Sequence, residues 1–182
     1  MNQDLREEIE IPEGITVNVE KGLFSVKGEK GEIKRSLHNP NISSKVESNN
    51  IVFESKGASK REKKLIKSFA AHLRNMFNGV KEGHVYKLKI CSGHFPMSVA
   101  VKGKLFEIKN FVGENVPRTI PIPEGVSIQI EGQEVIVEGV EKEITGQTAA
   151  LIEKKTKRYG FDKRIFQDGI FIIEKDGKPI KI

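Results

Sequence analysis

The stretch "IPEGITVNVE", residues 11–20, returns as "IPEGVSIQIE", residues 122–131. A phrase of this kind, written twice at about the spacing of a small domain, constrains the fold more than any other feature of the chain. The match runs on without a slip: Val17 faces Ile128, Val19 faces Ile130, Phe24 faces Val135, Val26 faces Val137 and Gly28 faces Gly139. Two copies this far apart are too few for a solenoid. They point instead to a tandem duplication of one small folding unit.

Within each copy the apolar residues alternate. Ile15, Val17 and Val19 form one strand face, as do Val126, Ile128 and Ile130. "EKGL" and "EGQE" interrupt the alternation where a tight hairpin needs glycine's positive φ. An isolated hairpin is marginal in water, so each needs a cover. The first cover is "SKREKKLIKSFAAHLRNMFNGV". In it Ser59 and Glu62 have capping-box spacing, Leu65, Ile66, Phe69, Leu73, Met76 and Phe77 form an apolar stripe, and Gly79 stands at the expected C-cap. The second is "EITGQTAALIEKKTKRYG", with Thr145 as N-cap, Ile144, Thr148, Leu151 and Ile152 facing inward, and Gly160 as its end. The expected fold class is α+β: two tandem copies of a small domain, each an antiparallel sheet or hairpin set packed on one α-helix. The boundary is expected beyond the first helix, giving an N-terminal domain over 1–82 and a C-terminal domain over 83–182. Met97, Val99 and Val101 are expected on one face of a strand in the second.

The chain has 182 residues, 37% of them hydrophobic and 31% charged, with a formal net charge of +6. It contains no apolar run of membrane-spanning length, and "MNQDLREEIE" is too acidic for a signal peptide. A single cysteine, Cys91, cannot form an internal disulfide and suits a reducing compartment. The basic balance favours an anionic partner.

No catalytic constellation is visible. "VKGEKGEIKRS" spaces Gly28 and Gly31 too closely for a phosphate loop and reads as a hairpin turn. His38, His72, His84 and His94 lie in separate elements without metal-ligand spacing. His94, in "GHFP", sits at a turn before a strand. The expectation is therefore no enzyme activity, no cofactor and no metal.

The cations form two groups. One opens the first helix: Lys60, Arg61, Lys63 and Lys64, with Lys56 and Lys67 beside them. A solvated helix face is the bland alternative to a binding role there, although positive charge at a helix N-terminus opposes the dipole. The other comprises Lys154, Lys155, Lys157, Arg158, Lys163 and Arg164 and runs past the second helix into "YGFDKRIFQDG". That loop interleaves Tyr159, Phe161 and Phe166 with cations. Rings of this kind belong either to a core or to a surface for structured RNA, where cations meet phosphates and rings stack on exposed bases.

Several motifs in order, "AAHLRNMFNGVKEG", "HFPMSV", "EIKNFVGE", "GQTAALIEKK" and "RIFQDGIFIIEK", resemble the large-subunit ribosomal protein six family in its archaeal and eukaryotic branch. The resemblance covers nearly the whole chain. It implies a structural, ribosome-bound, cytoplasmic protein. Its partners would be large-subunit (23S-type) rRNA near the sarcin–ricin loop and neighbouring ribosomal proteins of the stalk base, with translational GTPases docking nearby and no membrane contact. Carried over by position, it implies rRNA contact by Lys154, Lys155, Lys157, Arg158, Lys163, Arg164, Gln167, Asp168 and Gly169, with His94, Lys60, Arg61, Lys63 and Lys64 as secondary contacts. Asn115 stands where relatives often carry a basic residue, which weighs against a phosphate contact there. Two rival readings stay open on the residues alone: a protein-interaction module that accepts a strand at a hairpin edge, and an enzyme whose site assembles only on folding.

Overall fold

The computed structural model describes residues 3–47, 49–162 and 164–180. The chain divides into two compact units, Met1–Gly83 and His84–Ile182.

The first unit contains β1 (Gln3–Glu10), β2 (Thr16–Glu20), β3 (Leu23–Lys27), β4 (Glu32–Ser36), β5 (Ser43–Glu47), β6 (Asn50–Ala58) and α1 (Lys60–Lys81). They make two antiparallel sheets, ordered β2-β3-β4 and β1-β6-β5. Alternation along β3 turns Phe24 and Val26 fully inward. The central strand β6 is covered on both faces, so Ile51, Val52 and Phe53 are buried in succession. Ile66, Leu73, Met76 and Val80 of α1 complete this core.

The α1 start is the capping box expected from Ser59 and Glu62, with both reciprocal bonds made. Its end differs from expectation. The helix continues through Gly79 because Val80 extends the buried stripe by another turn. Gly83, with φ +83°, closes it and donates its N–H to the Gly79 carbonyl at 3.0 Å.

The second unit contains β7 (His84–Cys91), β8 (Ser98–Lys102), β9 (Leu105–Lys109), a 3₁₀ turn (Phe111–Gly113), β10 (Arg118–Pro121), β11 (Val126–Glu131), β12 (Glu134–Gly139), α2 (Lys142–Lys155), β13 (Gly169–Lys175) and β14 (Lys178–Pro179). Its sheets are ordered β8-β9-β10 and β11-β12-β7-β13-β14. The core gathers Leu88, Phe106, Ile108, Val135, Val137, Ile152 and Ile170.

The topology confirms a duplicated α+β plan but changes its register. In each unit a three-stranded meander comes first and a hairpin leading into the helix comes second. By fold position, β2-β3-β4 corresponds to β8-β9-β10, and β5-β6 to β11-β12. "IPEG" therefore precedes the first hairpin of the meander in one unit and the pre-helix hairpin in the other. The equivalent strands are Val17, Val19, Leu23, Phe24 and Lys27 against Val99, Val101, Leu105, Phe106 and Lys109, with the same burial pattern along β3 and β9. Both hairpin pairs alternate and both turn at glycine, so a strand-period pattern aligns with either.

Three further expectations in the second unit are corrected. Thr145 is not the N-cap, which is Glu141; Thr145 is buried one turn in, and its hydroxyl donates to the Glu141 carbonyl at 2.7 Å. That bond satisfies the hydroxyl inside the core, so a threonine suits a buried helical position there as well as a cap. The helix stops at Thr156, before Gly160. On β8, Val99 packs toward the core, but Val101 near the hairpin end of this edge strand is 39% exposed.

Candidate nucleic-acid interface

The region after α2 is built around Thr156. Its buried hydroxyl accepts the Ile170 N–H at 2.9 Å and lies 3.1 Å from the Glu153 carbonyl, tying the helix end to β13. Between these anchors, residues 157–162 and 164–168 lie outside helix and strand. Lys154 and Lys155 stand exposed on the last helical turn, where the dipole favours cations.

The loop carries an ordered row of rings and charges. The Arg158 guanidinium lies over the Phe161 ring at 3.7 Å. Phe161 meets Phe166 edge to face, with centroids 5.1 Å apart. Phe166 in turn stacks on the His94 ring at 4.9 Å. Lys157 approaches the Tyr159 ring at 5.7 Å, and Tyr159 is 72% exposed.

Asp168 ends the row and faces inward, with its side chain only 6% exposed. Oδ1 accepts the backbone N–H groups of Gly93 at 2.6 Å and His94 at 3.0 Å. Oδ2 lies 2.6 Å from His94 Nδ1. Burial alone would raise the Asp168 pKa, but these hydrogen bonds outweigh it and hold the carboxyl below its ordinary value. Asp168 is thus a clamp joining the β7–β8 loop to the loop after α2.

The sequence-derived residues sort by environment. Arg158 is half-buried against Phe161, while Arg164 is exposed and paired with Asp162 at 2.9 Å. Gln167 is exposed, and its amide donates to the Arg164 carbonyl at 3.3 Å. Gly169 is buried at the start of β13, opposite Cys91, where an added Cβ would meet Phe171 at 3.0 Å. Lys163 lies outside the described residues. Lys60, Arg61, Lys63 and Lys64 are exposed on α1 of the first unit, so they belong to a different compact unit from the α2 group.

Two pairings escaped sequence reasoning. His94 and Asp168 were both named from the sequence, but not that the turns "SGHFP" and "FQDG" meet, with His94 bonded to Asp168 and stacked on Phe166. Arg118 stacks on Phe111 at 4.3 Å and is held by Glu114 and the Lys155 carbonyl, bracing the α2 end from β10. Beside the row opens a cleft of about 720 Å³, lined among others by Cys91, Phe171, Lys154, Lys157 and Arg158. Among the described residues, no group of three His, Cys, Asp or Glu side chains could hold a metal, and no helix is long and apolar enough to cross a membrane.

The comparisons with known proteins match both units. The family model "Ribosomal protein L6" matches residues 11–83 and again 95–169. The chain belongs to the ribosomal protein L6 family. The two matches begin at Ile11 and Phe95, each ahead of its unit's meander, which is the register the topology requires. The chain is 47% identical over 176 residues to the large ribosomal subunit protein uL6 of Methanococcus vannielii, covering 97% of both chains. It is 42% identical over 175 residues to the protein of that name from Methanosarcina mazei, covering 96% of this chain and 99% of the relative. The L6 family thus contains both units of this chain, and its relatives here are archaeal.

Proposed function

We propose that this protein is a structural constituent of the large ribosomal subunit, resident on cytoplasmic ribosomes, that binds large-subunit rRNA chiefly through its second unit. The carrying observation is the cation–ring row after α2 in a member of the ribosomal protein L6 family. The mechanism is binding, not turnover. Lys154, Lys155, Lys157, Arg158 and Arg164, with Lys163, displace counterions from folded rRNA. The rings give unstacked bases a surface, and Asp168 and Gly169 hold the loop in shape. The finer placement is near the sarcin–ricin loop, beside the docking surface of translational GTPases and the proteins of the stalk base. It is supported by the motif resemblance.

The test compares charge removal at the two cation groups in binding to purified large-subunit rRNA across a salt series. Arg158→Gln with Arg164→Gln should lower affinity and reduce the salt slope by about 2, on the order of 0.9 for each phosphate no longer neutralised. Lys60→Gln with Arg61→Gln should change both far less. Equal losses at the two groups would remove the C-terminal assignment. Sedimentation of the protein away from large subunits in a cell extract would remove the ribosomal one.

A further inference from the structure

We infer that the cleft beside the ring row is a receptor for one unstacked rRNA base, held as in a pocket, in addition to the phosphate contacts. The inference rests on the rRNA-binding reading above and deepens it. Its volume, about 720 Å³, lies within the roughly 300–1,000 Å³ range of small-molecule sites and leaves room for a base.

Its lining joins two kinds of surface. Cys91 of β7, Phe171 of β13, Ala150 of α2 and the Phe161 and Phe166 rings supply apolar and aromatic area. Lys154 and Lys157, both exposed, and the half-buried Arg158 supply cations. Ring and apolar surface beside cations suits a ligand that is flat and apolar on its faces and anionic at one end. A nucleotide has that form: the base enters and its phosphates meet the cations.

The carboxylates fit the same occupant. Asp168 is used up by Gly93 and His94 and offers an incoming anion no exposed charge. Glu153 of α2 also lines the cleft, and a carboxylate can accept from the amino group of a base edge. The slot is also pre-shaped. Arg158 already lies flat on Phe161, and Phe166 is wedged between Phe161 and His94, so little ordering remains for binding to require.

Cys91 is the single cysteine of the chain and lines the cleft, which makes it an internal reporter. The full-length protein is alkylated with N-ethylmaleimide in the presence and absence of purified large-subunit rRNA. Bound rRNA is expected to slow Cys91 labelling at least tenfold. Ala150→Phe, at an exposed helical position on the cleft wall, should fill the slot and weaken rRNA binding about tenfold without removing any charge. Phe161→Ala, which removes a half-exposed wall ring, should weaken binding in the same direction if Ala150→Phe fails to fold. Wild-type protein that binds rRNA while Cys91 reacts at an unchanged rate overturns the pocket and leaves the rRNA-binding reading standing. So does a folded Ala150→Phe variant within twofold of wild-type affinity. Wild-type protein that fails to bind rRNA overturns the underlying reading itself.

Discussion

Asp168 is the residue on which the site's geometry turns. One carboxylate, almost wholly buried, bonds two backbone N–H groups and a ring nitrogen from a segment more than seventy positions earlier. Asp168→Asn keeps the shape but removes the charge from those bonds. Charge-assisted hydrogen bonds to buried groups contribute about 1–3 kcal/mol, and the variant should lose stability of that order at neutral pH in a denaturant titration. The sign of its pH dependence follows from the depressed pKa. The Asp168 contribution is fully present above the ordinary value of 3.8 and is lost as pH falls through the lower folded value. The gap between wild type and variant should therefore close on acidification below 3.8. A gap that stays constant to the lowest accessible pH would show that the charge is not what matters. Gly139 makes a separate residue-scale point. A methyl there would collide with the buried Thr145 hydroxyl, whereas one at Gly28 would meet the Val80 carbonyl at 2.7 Å. The two glycines that align by sequence are both required by crowding, yet the crowding comes from unrelated neighbours.

At the scale of elements, the two helices are started differently. α1 opens on a complete capping box, and the Glu62 carboxyl is held down to about 2 by the Ser59 hydroxyl first, then by backbone N–H groups. α2 opens on Glu141 without a side-chain cap; Thr145 and Thr148, buried, donate to carbonyls one turn back, which satisfies their own hydroxyls but does not cap the helix N–H groups. α1 should therefore be the acid-sensitive helix. The Glu62 contribution is present above 4.5 and disappears between 4.5 and about 2. Ser59→Ala should lower the melting temperature at neutral pH and flatten the loss of helical circular dichroism over that interval. An unchanged acid profile in the variant would show that the box does not set α1 stability. The strands repeat this lesson: β3 and β9 share one pattern of burial, and their outward Leu23 and Leu105 are both about half exposed, because they occupy the same place in two meanders.

At the scale of the whole molecule, the units diverge at one sheet edge. In the first, β1 is an edge strand, carrying Asp4, Arg6, Glu7, Glu8 and Glu10, which discourages further pairing. In the second, the corresponding strand β7 is central, because β13 returns after the loop and pairs with it. The loop after α2, proposed above to bind rRNA, is thus a crossover whose two ends are both fixed. Ile170, fully buried on β13, should be costly to truncate: Ile170→Ala is expected to destabilise by about 2–5 kcal/mol. Residue-resolved hydrogen exchange should place the loss of protection in β7, β12 and α2, with β3 and β6 of the first unit unaffected. Protection lost equally in both units would mean that they unfold together.

Local pattern was sufficient for the centres of several elements, but not for the end of α1 or the two ends of α2. The stripe from Ile66 to Phe77, the Ser59–Glu62 cap and the alternation around Phe24 and Val135 depend on neighbours within a few residues, so the amino-acid order determined them. Charge and ring content likewise marked Lys154 to Arg164 as the distinctive segment. Partnership was decided by tertiary structure. Periodicity states which face of a strand is apolar but not which strand lies beside it, so "IPEG" matched a meander hairpin to a pre-helix hairpin. The same holds for the candidate interface: His94 and Asp168 meet because β13 pairs with β7 and brings the two strand ends side by side. That contact depends on which backbone edge was free to pair, and no stretch of sequence around either residue carries that information.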